Sequence, residues 1–182
     1  MKPWRILSRR VLLERLPWLT VGEQDVELPD GTVLEGFQWI ETRPFAIVIP
    51  LLDGDRTILV RSFKLGVGAV SLSLPAGYLE AGESPLAGAM RELLEETGHE
   101  ASDWISLGRY VVDGNYGSGA MHAFIAKRAR KVKEPESGDH EEQELVTLPF
   151  AEALAKLRAG EVAQLSTAAA LGVAAIALGE SR

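Results

Sequence analysis

The chain has 182 residues, of which 46% are hydrophobic and 25% charged. That is the composition of a soluble globular protein with one good core and at most a small appendage. The net charge of -7 lacks the basic footprint of a nucleic-acid binder, and the absence of cysteine excludes disulfides while leaving the redox compartment open.

Arginines interrupt the apolar residues of the first twenty positions, so no signal peptide is expected and the cytoplasm is the expected location. Residues 4 to 40 read as β-rich. Two alternating runs, Leu19 to Leu28 and Thr32 to Glu41, flank the turn Pro29-Asp30-Gly31. Trp4, Trp18 and Trp39 lie in this portion and need to bury large surfaces, with burial inside the chain expected over burial against a partner subunit. A boundary is placed after residue 42, giving a β-rich N-terminal portion, 1 to 42, and a main domain, 43 to 182.

Phe45 to Leu52 is nearly all apolar, as in a strand buried on both faces. Asp53-Gly54-Asp55 turns it into a second strand, Thr57 to Lys64, and the two are expected to form a central hairpin. Leu72 to Ala76 leads to Gly77, with Pro75 stiffening the approach. After a helix, Trp104 to Val112 and Met121 to Arg128 read as neighbouring strands. The run Asp113 to Gly119 between them has two readings. It is either a loop whose backbone meets a phosphate or sugar, with Tyr116 stacking on a base, or a flexible hairpin connection. Lys131 to His140 is expected to be a mobile surface loop delivering Glu141, Glu142, Gln143 and Glu144 to a short strand, Leu145 to Leu148. Helices are expected at Ala151 to Leu157 and Ala163 to Ala177. The second is too short and glycine-interrupted for a membrane span, so it is read as a buried C-terminal helix. Strands around a helix, followed by terminal helices, make an α/β layered domain.

The chemistry concentrates between Gly77 and His99. Ser84 is placed to cap a helix, Pro85 to start it and Gly98 to end it. At helical spacing Glu92, Glu95 and Glu96 share one face, and Leu86, Ala89, Met90, Leu93 and Leu94 offer the face to bury. Like charges near a helix C-terminus repel each other and the helix dipole. At ~4 Å and an effective dielectric of ~20, each unscreened pair costs ~4 kcal/mol. A hard cation such as Mg²⁺ or Mn²⁺ would relieve this, while the absence of cysteine and scarcity of histidine argue against zinc. The plainer reading is a solvated acidic face with Arg91 as its internal partner.

Gly77, five residues, Glu83, seven residues, then Arg91-Glu92-Leu93-x-Glu95-Glu96-x-Gly98 resembles the signature of the Nudix hydrolases. It departs only at His99, where the family usually has a bulky aliphatic residue. From about Leu28 to about Leu171 the chain resembles the ADP-ribose pyrophosphatase branch. That resemblance implies an α/β/α Nudix sandwich with a mixed central sheet, preceded by a β-rich portion, commonly in a homodimer. It implies Mg²⁺- or Mn²⁺-dependent hydrolysis of a pyrophosphate bond in a nucleoside diphosphate sugar.

By that resemblance Glu92, Glu95, Glu96 and the carbonyl of Ala76 hold the metal, and Arg91 orients the glutamates. Gly77, Glu83 and Gly98 shape the motif. Glu95, and either Glu142 or Glu144 from the late loop, take part in proton transfer. Trp39, Arg61, Lys64, Gly77, Asp113 and Tyr116 are the expected substrate contacts. The chain departs from the branch at Ser62, Lys64, Ser73 and Val112-Asp113-Gly114, which leaves the base and sugar open among ADP- and GDP-linked sugars. Two alternatives stand beside this one. One is a housecleaning hydrolase of nucleoside triphosphates or dinucleoside polyphosphates, and the other a module that senses a nucleotide sugar without cleaving it. No nucleic acid or membrane partner is expected.

Overall fold

A computed structural model describes residues 1–136, 138 and 142–179. Ser137, Asp139, His140 and Glu141 of the expected surface loop lie outside the described residues. The chain divides into two compact units, the first made of Met1–Pro44 and Tyr110–Ala120 and the second of the remainder.

In the first unit, β1 (Arg5–Arg15), β2 (Leu19–Glu27) and β3 (Val33–Thr42) form an antiparallel sheet in that order. The β2–β3 turn is held by the Asp30 carboxylate, which accepts from the Thr32 N–H at 2.9 Å. Trp39 is the tryptophan that buries, at 5% exposure. It lies flat against Gly22, where any side chain would collide with the indole, and the Arg9 guanidinium stacks 4.0 Å from its ring centre. Trp4 and Trp18 stay more than half exposed, which corrects the expectation that all three are buried. The physical reason is that a three-stranded sheet provides little interior, and β1 is exposed along its whole length.

The glycine-rich run of the same unit is organised by a side chain. The Asp113 carboxylate accepts from the N–H groups of Asn115 and Tyr116, both at 2.8 Å, and the Tyr116 carbonyl accepts from Ile40 N–H at 3.0 Å. The run is therefore a hydrogen-bonded turn latched to β3.

The second unit contains β4 (Phe45–Leu52), β5 (Arg56–Lys64), β6 (Ala69–Ser73), β7 (Ala76–Tyr78), α1 (Pro85–Thr97), β8 (His99–Glu100) and, as far as Arg109, β9 (Asp103–Val111). It continues with β10 (Ala120–Lys127), β11 (Arg130–Lys131), β12 (Gln143–Pro149), α2 (Phe150–Arg158) and α3 (Leu165–Leu178). The main sheet runs β12-β5-β4-β10-β9, with β6 added to β5 and β7 to β4. β4 is parallel to β10 and antiparallel to β5, so the sheet is mixed.

Alternation on β4 sorts the layers. Ala46 and Val48 face Ala89 and Leu93 of α1, while Ile47 and Ile49 join a larger core with Phe150 and Leu154 of α2 and Leu171 and Ala174 of α3. This is an α/β/α sandwich preceded by a small β-rich part. Among the described residues no helix is long and apolar enough to cross a membrane; α3 instead buries Thr167, Ala170, Leu171, Ala174 and Ala175.

The central hairpin is narrower than expected. β4 and β5 pair at Leu51↔Thr57 and Leu52↔Arg56. Beyond that point β4 is paired by β7 and β5 by β6. The splay admits β7 to the middle of the sheet, directly under α1, and this sets up the site.

Candidate active site

α1 begins where its sequence says it should. Ser84 Oγ accepts from the Ala87 N–H at 3.3 Å, Pro85 follows, and Gly98 closes the helix at φ 70°, its N–H donating to the Leu94 carbonyl. A Cβ on Gly98 would lie 2.1 Å from the Lys133 carbonyl oxygen, so glycine is required there twice over. The chain then folds back on the helix end. Val132 and Lys133 N–H groups donate to Gly98 O, and Glu136 N–H donates to Glu95 O at 2.8 Å. The described part of the expected mobile loop is therefore bonded to the end of α1, where it satisfies carbonyls that a helix leaves open. His99 takes part as well, its Nδ1 2.7 Å from the Thr97 carbonyl oxygen.

The buried face of α1 differs from the apolar stripe. Ala89, Leu93 and Thr97 are buried, as is Glu92 at 7% exposure, while Leu86 and Met90 stay exposed. Glu92 can enter because Gly77 has no side chain. A Cβ at position 77 would lie 2.0 Å from Glu92 Oε1 and 2.4 Å from Oε2. Glu96 makes the neighbouring contact, its Oε2 accepting from the Ala76 N–H at 3.2 Å. Two carboxylates are thus seated on the backbone of β7.

Arg91 binds the remaining groups together. Its Nε and Nη2 donate to Glu83 at 3.0 Å, its Nη1 donates to Glu92 at 2.5 Å and to Glu95 at 3.1 Å, and Nη2 also reaches the Tyr78 carbonyl. Glu83 in turn accepts from the Glu80 N–H at 2.9 Å. The hydrogen bonds to Glu83, followed by those to Glu92 and Glu95, hold the guanidinium pKa above its ordinary value against the opposing effect of burial. Arg91 thus bridges three carboxylates.

Of the residues expected at the site, Ala76, Gly77, Glu83, Arg91, Glu92, Glu95, Glu96 and Gly98 come together on α1, β7 and the loop between them. Glu142 and Glu144 are not brought to that cluster. Glu144 pairs in register with Arg61, and Arg61 Nη1 donates to its carboxylate at 2.8 Å. Both line a cleft of about 480 Å³ with Glu142, Phe63, Leu65 and Val70. Side chains alternate across a strand, so Gln143, at the start of β12, turns the opposite way from Glu144. It borders that cleft and also lines a smaller cavity with Lys64, Ser73, Ala76 and Glu96. Trp39, Asp113 and Tyr116 belong to the first unit and are held there as described above.

Gln143 and the start of α3 are the parts that reading the sequence missed. Starting the strand at Leu145 hid Gln143. Extending the same alternation two residues earlier would have placed it opposite in sense to Glu144.

An all-oxygen donor set of clustered carboxylates suits a hard divalent cation. The Gly77 cradle, which a Cβ would fill, holds Glu92 in place for one. Among the described residues no group of three or more acidic or histidine side chains stands ready-gathered around a common point; Glu92 and Glu95 are hydrogen-bonded by Arg91.

The NUDIX domain model matches residues 42–168, and that for the nucleoside diphosphate sugar hydrolase N-terminal domain matches residues 4–35. The ADP-ribose pyrophosphatase of Bacillus subtilis (strain 168) is 30% identical over 150 residues, covering 81% of this chain and 80% of the relative. The ADP compounds hydrolase NudE of Escherichia coli (strain K12) is 30% identical over 128 residues, covering 69% and 67%. A crystal structure of an ADP compounds hydrolase superposes over 100% of this chain and 98% of its own, with TM-score 0.82 and 24% identity, and so shares the fold. A sandwich with a glutamate-bearing helix laid over a glycine strand defines the class. The chain belongs to the Nudix family and is a Nudix pyrophosphohydrolase, a class that generally uses divalent metal ions.

Proposed function

We propose that the chain hydrolyses the pyrophosphate bond of a nucleoside diphosphate sugar, ADP-ribose or a related ADP- or GDP-linked sugar, in the presence of Mg²⁺ or Mn²⁺. The products are a nucleoside monophosphate and a sugar phosphate. The observation that carries this reading is the seating of Glu92 and Glu96 on the β7 backbone at Gly77 and Ala76. The match of residues 4–35 to a nucleoside diphosphate sugar hydrolase N-terminal domain supports a sugar-linked substrate over a bare triphosphate.

Glu92, Glu95, Glu96 and the Ala76 carbonyl would hold the metal. When bound, it neutralises charge on the phosphoryl oxygens and makes an attacking water more acidic. Arg91 keeps Glu92 and Glu95 directed from one side, and Glu83 fixes Arg91 to the loop. Water attacks one phosphorus, the bridging P–O bond breaks, and the water proton passes to a carboxylate. Glu95 is the acceptor that the geometry favours, because its side chain is 39% exposed where that of Glu92 is 10%. Glu142 and Glu144 are the competing assignments; Glu144 is engaged by Arg61 on the opposite strand face. Lys64, which lines the cavity beside Glu96, is assigned to a phosphate oxygen. Tyr116, with an exposed ring, is assigned to stacking on the base.

The chain forms a homodimer in this reading, and β1 supports it. Ile6, Val11 and Leu12 are more than half exposed on that strand, as are Trp4 and Trp18 at its two ends, so a run of apolar side chains is left for a second copy to cover. Sedimentation should give twice the chain mass, and a monomer would remove this part of the proposal.

The substrate is tested by incubating the protein with Mg²⁺ and ADP-ribose, ADP-glucose, GDP-mannose, NADH, diadenosine polyphosphates or oxidised triphosphates, and identifying products by chromatography. Monophosphate released fastest from one of the nucleotide sugars is the expected result. Preference for a triphosphate would favour the housecleaning reading. Thermal stabilisation by a nucleotide sugar without cleavage would favour the sensor.

A further inference from the structure

In the gap between β4 and β5 lies a cavity of about 60 Å³ with Glu96 on its wall. Residues at the start of α3, Gln164, Ser166 and Thr167, line the same cavity. That end of α3 is fixed to the sheet at two points. Thr167 Oγ1 accepts from the Leu74 N–H at 3.3 Å, and Ser71 Oγ accepts from the Ala163 N–H at 3.2 Å. Ser71 and Thr167 are both buried, so the attachment is internal.

Gln164 precedes the helix, and its side chain makes no capping bond. Its Nε2 is buried with no protein acceptor within reach. Buried amide donors are almost always satisfied, by water when not by protein. The cavity is above the size needed to hold water, and it has the polar walls that bound water needs. The Glu96 carboxylate is the anionic acceptor on that wall, and its Oε2 is already directed by the Ala76 N–H.

We infer that Gln164 is a positioning residue for Glu96, donating through a water held in this cavity and thereby fixing the orientation of the carboxylate. The inference rests on the proposed reading of Glu96 as a metal ligand. It extends the site from the signature helix to a helix far along the chain, and gives the polar residues at the start of α3 a function that capping does not explain.

The test uses the full chain and the variants Gln164→Leu and Val162→Ala. Val162 is buried in the core beside the same segment and does not line the cavity. Mn²⁺ affinity of the substrate-free protein is measured by electron paramagnetic resonance, beside melting temperature, kcat and KM. Gln164→Leu should weaken Mn²⁺ binding roughly 10-fold or more, the usual consequence of losing a group that orients a metal ligand, and lower kcat with little change in KM. Val162→Ala should lower the melting temperature and leave Mn²⁺ affinity unchanged. Wild-type affinity in Gln164→Leu would overturn the inference, and so would an equal loss in Val162→Ala. If Gln164→Leu does not fold, Gln164→Asn, which keeps an amide at shorter reach, must bind Mn²⁺ measurably more weakly than the parent for the inference to hold, and parental affinity in it would overturn the inference. Loss of Mn²⁺ affinity in a protein that cleaves no nucleotide sugar would sustain the positioning role and refute the substrate reading. Cleavage with unchanged affinity would do the reverse.

Discussion

The Glu92 carboxylate occupies the space that any side chain at Gly77 would need, with Oε1 2.0 Å from where a Cβ would stand. The two residues act as one feature: the helix keeps a buried anion because the strand leaves room for it. Gly77→Ala should therefore expel Glu92 from its seat, at about 1–3 kcal/mol of stability as for other overpacked positions. A fall in melting temperature accompanied by loss of Mn²⁺ binding is expected. Unchanged binding would mean that the seat is not needed.

The two faces of β12 make a second prediction. Glu144 is tied to Arg61 across an exposed pair worth about 0–1 kcal/mol, and both side chains are well over a third exposed. Glu144→Gln should leave the melting temperature nearly unchanged and reduce kcat far less than Glu95→Gln does. Parallel kinetics of Glu95→Gln, Glu142→Gln and Glu144→Gln at saturating Mg²⁺ decide which carboxylate takes the proton. A larger loss in Glu144→Gln would move that role to the late strand.

His122 gives a third, on stability. Burial, and secondly the nearby charge of Arg109, hold its imidazole pKa below the ordinary value. The unfolded chain thus takes up this proton at a higher pH than the folded one. The contribution to stability is complete above the unfolded pKa of ~6.5 and is lost as pH falls from there through the folded pKa. His122→Gln should flatten the decline in melting temperature below pH ~6.5. An unaltered profile would show that His122 is not its source.

Much of this was legible from local chemistry. The capping serine, the following proline and the closing glycine each have one good place in a helix, so α1 could be read from residues alone. The layers followed from the apolar run of β4. The buried face of α1 could not be read in the same way. An apolar stripe puts Leu86 and Met90 inside and Glu92 outside, and only the missing side chain of Gly77, brought close by the splay of β4 and β5, reverses the order. The cavity wall at Gln143 and Gln164 was hidden for a related reason. Both are ordinary polar residues whose meaning comes from a register and a helix start fixed by distant partners. Trp4 and Trp18 were misread because large aromatic area was taken to require an interior that a three-stranded sheet does not have.

The central claim is that the carboxylates seated on β7 carry out metal-dependent hydrolysis, and Glu96→Gln tests it most directly. The variant keeps size and shape and can still accept the Ala76 N–H, so its melting temperature should stay close to that of the parent. Monophosphate release from the preferred nucleotide sugar, followed at saturating Mg²⁺, should fall by roughly 100-fold or more, the scale set by removing about 3 kcal/mol of transition-state stabilisation. Turnover close to that of the parent would contradict the account.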